Sequence, residues 1–179
     1  MYKRQVDIDG RLLAASDRGE IYRLDENAFG SPLARSDAQG PGALAVIGVQ
    51  IAAQEASDAP LTTGQILFAD LSTGVIHVFE SLTGEALGAV KIAATNELPG
   101  VDRGEAFAAT GANFGGLYRN GVLAVGVANG ADGPMLSLVP ASAVRNALSL
   151  PVGEPVSSRR ETLEVEEGAL FPEPDFTPQ

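Results

Sequence analysis

GQILFADLSTGVIHVFE, residues Gly64 to Glu80, decides the fold. It opens on Gly64, runs through an apolar stretch to Ala69, breaks at Ser72-Thr73-Gly74 and resumes as an alternating stretch to Glu80. In that second half Val75, His77 and Phe79 point one way while Ile76 and Val78 point the other, the period of two that a strand imposes. The break ends on a glycine, the residue that supplies a positive φ in a tight turn. The stretch therefore reads as strand, turn, strand.

The same grammar recurs on either side. Gly10 to Asp25 reads GRLLAASDRGEIYRLD, with Asp17-Arg18-Gly19 at its turn, and Gly121 to Pro140 reads GVLAVGVANGADGPMLSLVP, with Ala131-Asp132-Gly133 at its turn. Between these hairpins lie further apolar runs, Ala43 to Ile51, Ala86 to Ala93 and Glu105 to Thr110, and Ser81-Leu82-Thr83-Gly84-Glu85 reads as a tight turn between two of the strands. One hairpin plus one or two more strands per period matches the four-stranded blade of a β-propeller. The expected fold is all-β: a partial β-propeller of about three blades of antiparallel strands. Helix is scarce; Ser142 to Leu148 is the one short helix expected, with Ser142 as its cap. Gln54 to Thr63 reads as an exposed loop.

Three blades cannot close a ring that takes roughly four to eight. The chain is thus expected to need either missing N-terminal blades or a second copy for ring closure. Tyr2-Lys3-Arg4-Gln5 has the look of translated adaptor sequence, so residues 1–5 are expected to be a non-native leader, with any export signal lost upstream. The basic start is followed by no apolar stretch and is no signal peptide. The partial propeller then occupies residues 6–150. Residues 151–179 hold five prolines and a cluster of Glu161, Glu164, Glu166 and Glu167, and are expected to form a flexible acidic tail. The alternative is that Leu163, Val165, Leu170 and Phe171 lie along the body as an edge strand.

Composition narrows the chemistry. A net charge of −11 argues against nucleic acid or an anionic membrane surface as a direct partner. With no cysteine there are no disulfides, thiol nucleophiles or Cys-type zinc sites, and the single histidine, His77, leaves no Ser-His-Asp triad to argue. No apolar run approaches the ~20 residues of a membrane-spanning helix, so no membrane insertion is expected. Asp17, Glu20, Asp70, Asp102, Glu105 and Asp132 fall at strand ends or turns, which a propeller gathers toward its channel or one rim. Carboxylates gathered there suit Ca²⁺, a hard cation that takes oxygen ligands; Asp is equally favoured in turns for its own backbone hydrogen bonds. Arg103, Arg119 and Arg145 are candidates to face a polyanionic ligand.

The segment from Asp102 to Leu148 resembles the final blade of the calcium-dependent β-propeller phytases. The resemblance is carried by Gly104-Glu105-Ala106, by Ala109-Thr110-Gly111-Ala112-Asn113-Phe114-Gly115, by Gly121-Val122-Leu123-Ala124-Val125, by Asn129 to Gly133, and by Leu136-Ser137-Leu138-Val139-Pro140. Two departures stand out: Ala141 replaces the aromatic that usually follows Val-Pro, and Gly126-Val127-Ala128 replaces an acidic loop near the channel. The resemblance implies hydrolysis of phosphomonoesters of inositol, with bound Ca²⁺ neutralising the phosphates and activating water. It implies Glu105 and Asp102, placed in the matching acidic strand, as metal ligands, a phosphorylated small molecule as partner, and an extracellular or periplasmic setting. The alternative is a non-catalytic propeller module that binds a protein or small ligand, since one fold serves both roles. A lactonase-type or quinoprotein-type propeller is a third reading.

Overall fold

The computed structural model describes residues 4–8, 11–24, 30–38, 40–51, 61–95, 100–130, 133–150 and 154–155. Three sheets follow one another along the chain. The first holds β1 (Arg4–Ile8), β2 (Arg11–Ala15), β3 (Glu20–Leu24) and β4 (Gly30–Arg35). The second holds β5 (Gly42–Ile51), β6 (Leu61–Asp70), β7 (Val75–Glu80) and β8 (Ala86–Lys91). The third holds β9 (Ala106–Thr110), β10 (Val122–Gly130) and β11 (Gly133–Pro140), and the short helix α1 (Ala141–Ala147) follows it. A final two-residue strand, β12 (Glu154–Pro155), returns to the free edge of β5, with Glu154 opposite Gln50 and Pro155 opposite Val49.

Each sheet is an up-and-down antiparallel meander, and the three hairpins read from the sequence are its second and third strands: β2–β3, β6–β7 and β10–β11. The first strands lie side by side, β5 between β1 and β9. This is the arrangement of consecutive propeller blades, all-β with one short α-helix and without a closed barrel among the described residues.

The alternation along β5, β6 and β7 explains the stacking. Ala43, Ala45, Ile47, Leu67, Ala69, Ile76 and Val78 point from the second sheet toward the third, where they meet Phe107, Leu123, Val125 and Val144. Leu44, Ile66, Phe68 and Phe79 point the other way and meet Leu13, Ala15 and Ile21 of the first sheet. Both faces of the middle sheet are thus buried. Each large side chain so covered contributes about 1.5–3 kcal/mol relative to exposure. His77 sits half-buried on the face turned to the first sheet, opposite Phe68.

Polar contacts tie the sheets at their edges. Arg23 on β3 donates from Nη2 to the carbonyls of Ser81 and Leu82, at 3.0 and 2.7 Å, in the β7–β8 turn. On the other side Arg145 of α1 is 2% exposed and donates from Nε to Gln65 Oε1 on β6 at 3.5 Å. Arg145 was a candidate to face a polyanion; the structure instead buries it in the seam between the second and third sheets.

Other expectations are corrected. Helix α1 begins at Ala141 behind Pro140, which takes the cap position without a side-chain hydrogen bond, so Ser142 lies inside the helix and caps nothing. Leu61 to Thr63 belong to β6 and pair with Val49 to Ile51, while the rest of the expected loop lies outside the described residues. Asp102 and Glu105 precede β9 instead of lying in it. Two of the expected leader residues, Arg4 and Gln5, pair with Ala15 and Ala14 in β1, which leaves their origin untouched, and residues 1–3 lie outside the described residues. Of the expected tail only Glu154 and Pro155 are among the described residues, and Leu163, Val165, Leu170 and Phe171 lie outside them.

The turn glycine of the deciding stretch gives a test. Gly74 has φ 70°, its N–H donates to the Asp70 carbonyl at 2.9 Å, and a Cβ on it would overlap the Val101 carbonyl oxygen. Gly115 has φ 78° but open space around it. Gly74→Ala should therefore destabilise the chain by about 2 kcal/mol or more, and Gly115→Ala by only about 1 kcal/mol. Urea unfolding of the two variants measures the difference; equal losses would mean that Val101 does not crowd the turn.

Candidate functional site

The meanders bring their turns to common ends. The β2–β3 turn, the connection from β4 to β5, the β6–β7 turn and the connection from β8 to β9 all lie at one end, where they enclose a cleft of about 460 Å³ lined by Asp17, Pro41, Gly42, Leu71, Ser72, Arg103, Gly104 and Glu105.

Backbone hydrogen bonds fix its floor. Leu71 N–H donates to the Pro41 carbonyl at 3.0 Å, Gly104 N–H to the Leu71 carbonyl at 2.8 Å, and Glu105 N–H to the Gly126 carbonyl at 2.8 Å. These three bonds lock the connection before β5, the β6–β7 turn, the segment before β9 and strand β10 to one another. Gly104 is buried, and a side chain there would press on Val125 and Leu71. Around this floor the Asp17, Ser72, Arg103 and Glu105 side chains are exposed, so two carboxylates, a hydroxyl and a guanidinium border one space.

The acidic residues named from sequence divide into those that border the cleft and those that do not. Asp17 and Glu105 border it. Asp70 is 2% exposed, and its Oδ1 accepts from the Ser72 N–H at 2.9 Å and the Ser72 hydroxyl at 2.6 Å, the hydrogen bonding of a turn former. Glu20 accepts from the Tyr22 hydroxyl at 3.0 Å, and this bond raises the Tyr22 pKa. Asp132 lies outside the described residues. Asp102, though three residues from Glu105, pairs with Lys91 Nζ at 2.8 Å on the open surface. The structure thus brings Glu105 together with Asp17, and leaves Asp102 outside the cleft lining. Among the described residues no group of three or more His, Asp or Glu side chains converges.

Ser72 is the member that sequence reasoning missed. The signal was available, since Ser72 and Asp17 occupy the middle of equivalent turns in successive hairpins. A repeat that aligns the hairpins also aligns their turns. Arg119 is exposed beyond the short 3₁₀ turn at Gly116–Tyr118, apart from this lining.

No helix among the described residues is long and apolar enough to cross a membrane. The sequence matches no protein-family model and no curated protein.

The Lys91–Asp102 pair has a measurable signature. The hydrogen bond from Lys91, reinforced by its charge, holds the Asp102 carboxyl below its ordinary value, against a small opposing effect of burial. A carboxylate with a depressed folded pKa adds stability above its unfolded pKa, and that stability is lost as pH falls through the folded value. The Asp102 carboxyl should therefore titrate at lower pH than an ordinary aspartate by carbon-detected NMR, and Lys91→Met should return its midpoint to the ordinary value. An unchanged midpoint would show that the pair does not persist in solution.

Proposed function

We propose that the chain supplies blades of a phytase-like propeller whose end cleft takes a phosphorylated small molecule together with calcium. The observation that carries this reading is the meeting of Asp17, Ser72, Arg103 and Glu105 around one cleft with a hydrogen-bonded floor. Two carboxylates and a hydroxyl are the hard oxygen donors that calcium takes. A planar guanidinium beside them matches two phosphate oxygens at once. In this reading Asp17 and Glu105 hold the cation, Arg103 orients the phosphate, and Ser72 adds a neutral oxygen or a hydrogen bond. Bound calcium would supply charge neutralisation at the phosphate and Lewis acidity toward a water. Without a cation the two carboxylates repel a phosphate, so anion binding here should depend on calcium. An extracellular or periplasmic setting, where calcium is plentiful, fits the same proposal.

One observation favours binding without turnover as a second reading. Gly126-Val127-Ala128 stands where the resembled family has an acidic loop, and the Gly126 carbonyl accepts the Glu105 N–H. The missing carboxylate would therefore have been a close neighbour of Glu105. A non-catalytic module would keep the cleft and its ligand while lacking that group.

Thermal unfolding of the chain in EDTA, then with calcium, then with calcium and phytate tests both readings. A ligand at a hundred times its Kd stabilises by about 2.7 kcal/mol, roughly 5–10 °C for a domain of this size. Calcium should raise Tm, Glu105→Ala should abolish the rise, and Arg103→Ala should remove the further phytate effect while keeping that of calcium. Release of inorganic phosphate supports the hydrolase; stabilisation without release supports the module. A cooperative melt indifferent to calcium and phytate would end the proposal.

A further inference from the structure

The hydroxyl at the rim of the cleft is used differently from the hydroxyls of the other turns. Those of Ser16, Ser36, Thr73, Ser81, Thr83 and Thr110 each accept a backbone N–H, so their lone pairs are spent on the fold. Even Thr83, which donates to the Glu80 carboxylate at 3.0 Å, accepts the Glu85 N–H at 3.2 Å. Ser72 does the reverse. Its hydroxyl donates to Asp70 Oδ1 at 2.6 Å, and among the described residues nothing donates to it.

A hydroxyl has one proton and two lone pairs. The proton of Ser72 is committed at a separation within the roughly 2.5–2.7 Å of a hydroxyl that donates to a carboxylate. That carboxylate is 2% exposed. Turning the proton toward a ligand would take a hydrogen bond from a buried polar group, the costly kind to leave unmade. The side chain also has little room to turn. Gly40 packs against it so closely that a Cβ there would stand 2.7 Å from the Ser72 Oγ and 2.8 Å from its Cβ. Gly40 has no positive φ, so room, and not conformation, accounts for the glycine. Ser72 therefore meets the cleft as an acceptor. Phosphate oxygens gain nothing from an oxygen that offers only lone pairs; a cation does. The equivalent position of the preceding hairpin holds Asp17, whose carboxylate likewise offers lone pairs to the same cleft.

We propose that Ser72 is a cation ligand of the cleft, the neutral member of a set with Asp17 and Glu105, and that Asp70 is the positioning residue that holds its proton away from the ligand. The cation and the phosphate then occupy distinct parts of one cleft, with Arg103 serving the anion alone. This inference rests on the calcium-dependent reading of the cleft and assigns Ser72 to one of its two parts.

Calorimetric titration of the chain with calcium alone, and of the calcium-saturated chain with phytate, separates the two parts. Ser72→Ala should weaken calcium binding on the order of tenfold, which loss of a metal ligand's hydrogen-bond partner already costs. Phytate affinity at saturating calcium should stay as it is. Ser72→Asp, which copies Asp17, should bind calcium at least as tightly as the native chain. Ser72 is exposed, so both variants should melt like the native chain in EDTA. Asp70→Asn keeps an acceptor for the turn and should weaken calcium binding in the native chain, but much less in Ser72→Ala, because it acts through that hydroxyl. Calcium affinity unmoved by Ser72→Ala, whether or not phytate binding falls, would overturn the inference and leave the cleft reading standing. Loss of calcium binding in Ser72→Asp would overturn it as well, and an equal effect of Asp70→Asn in both backgrounds would remove Asp70 from its role. A native chain without calcium affinity would end the cleft reading and this inference together.

Discussion

The middle sheet is apolar on both faces, and that constraint organises everything around it. A strand turns successive side chains to opposite sides, so a run such as Leu44 to Ile47, with no charge in it, cannot lie against water on either side. Ala43, Ala45 and Ile47 need one cover, and Leu44 needs another. The first and third sheets supply these covers, and their own outward faces are accordingly less buried. Once the three sheets are stacked, their turns have to come together at the ends. The cleft around Asp17, Leu71 and Glu105 is thus a by-product of packing in the core, made firm by the hydrogen bonds from Leu71, Gly104 and Glu105.

Two of the carboxylates serve the backbone. Asp70 receives the N–H and hydroxyl of Ser72, and Glu80 receives the N–H groups of Leu82 and Thr83 at 2.8 and 2.6 Å. Both turns then end on a glycine whose N–H returns to the carbonyl of the acidic residue, Gly74 to Asp70 and Gly84 to Glu80. The same side-chain type does two jobs in one fold: where the carboxylate folds back it finishes a turn, and where it projects, as at Asp17 and Glu105, it borders the cleft. Net charge describes neither job.

The blades were legible because each rests on a local signal. Alternation marked β7, glycine marked the turns, and the recurrence of one hairpin three times announced the stacking. The helix was legible as an element but not at its start, since Pro140 enters it without a side-chain cap and no serine is required. The site was legible only in part. Glu105 and Asp17 were visible as acids near strand ends, but their meeting depends on four connections converging, which no single stretch of sequence encodes. Asp102 and Arg145 show the limit from the other side. Nothing in the sequence near Asp102 says that Lys91, on another element, will take its charge, and nothing near Arg145 says that its helix will turn it inward toward Gln65.

The order of pairing along the chain has a kinetic consequence. Within each meander every strand pairs with the one just made, so each sheet can zip up from its own hairpins while loop-closure entropy is small. The two-residue strand at Glu154–Pro155 breaks that pattern by reaching back to β5, closing the longest loop of any described strand pair. Contacts of long sequence separation come late in folding. The body would thus be assembled before this strand is fastened, and unfastening it is an opening that takes one edge strand from the second sheet and leaves the three meanders intact.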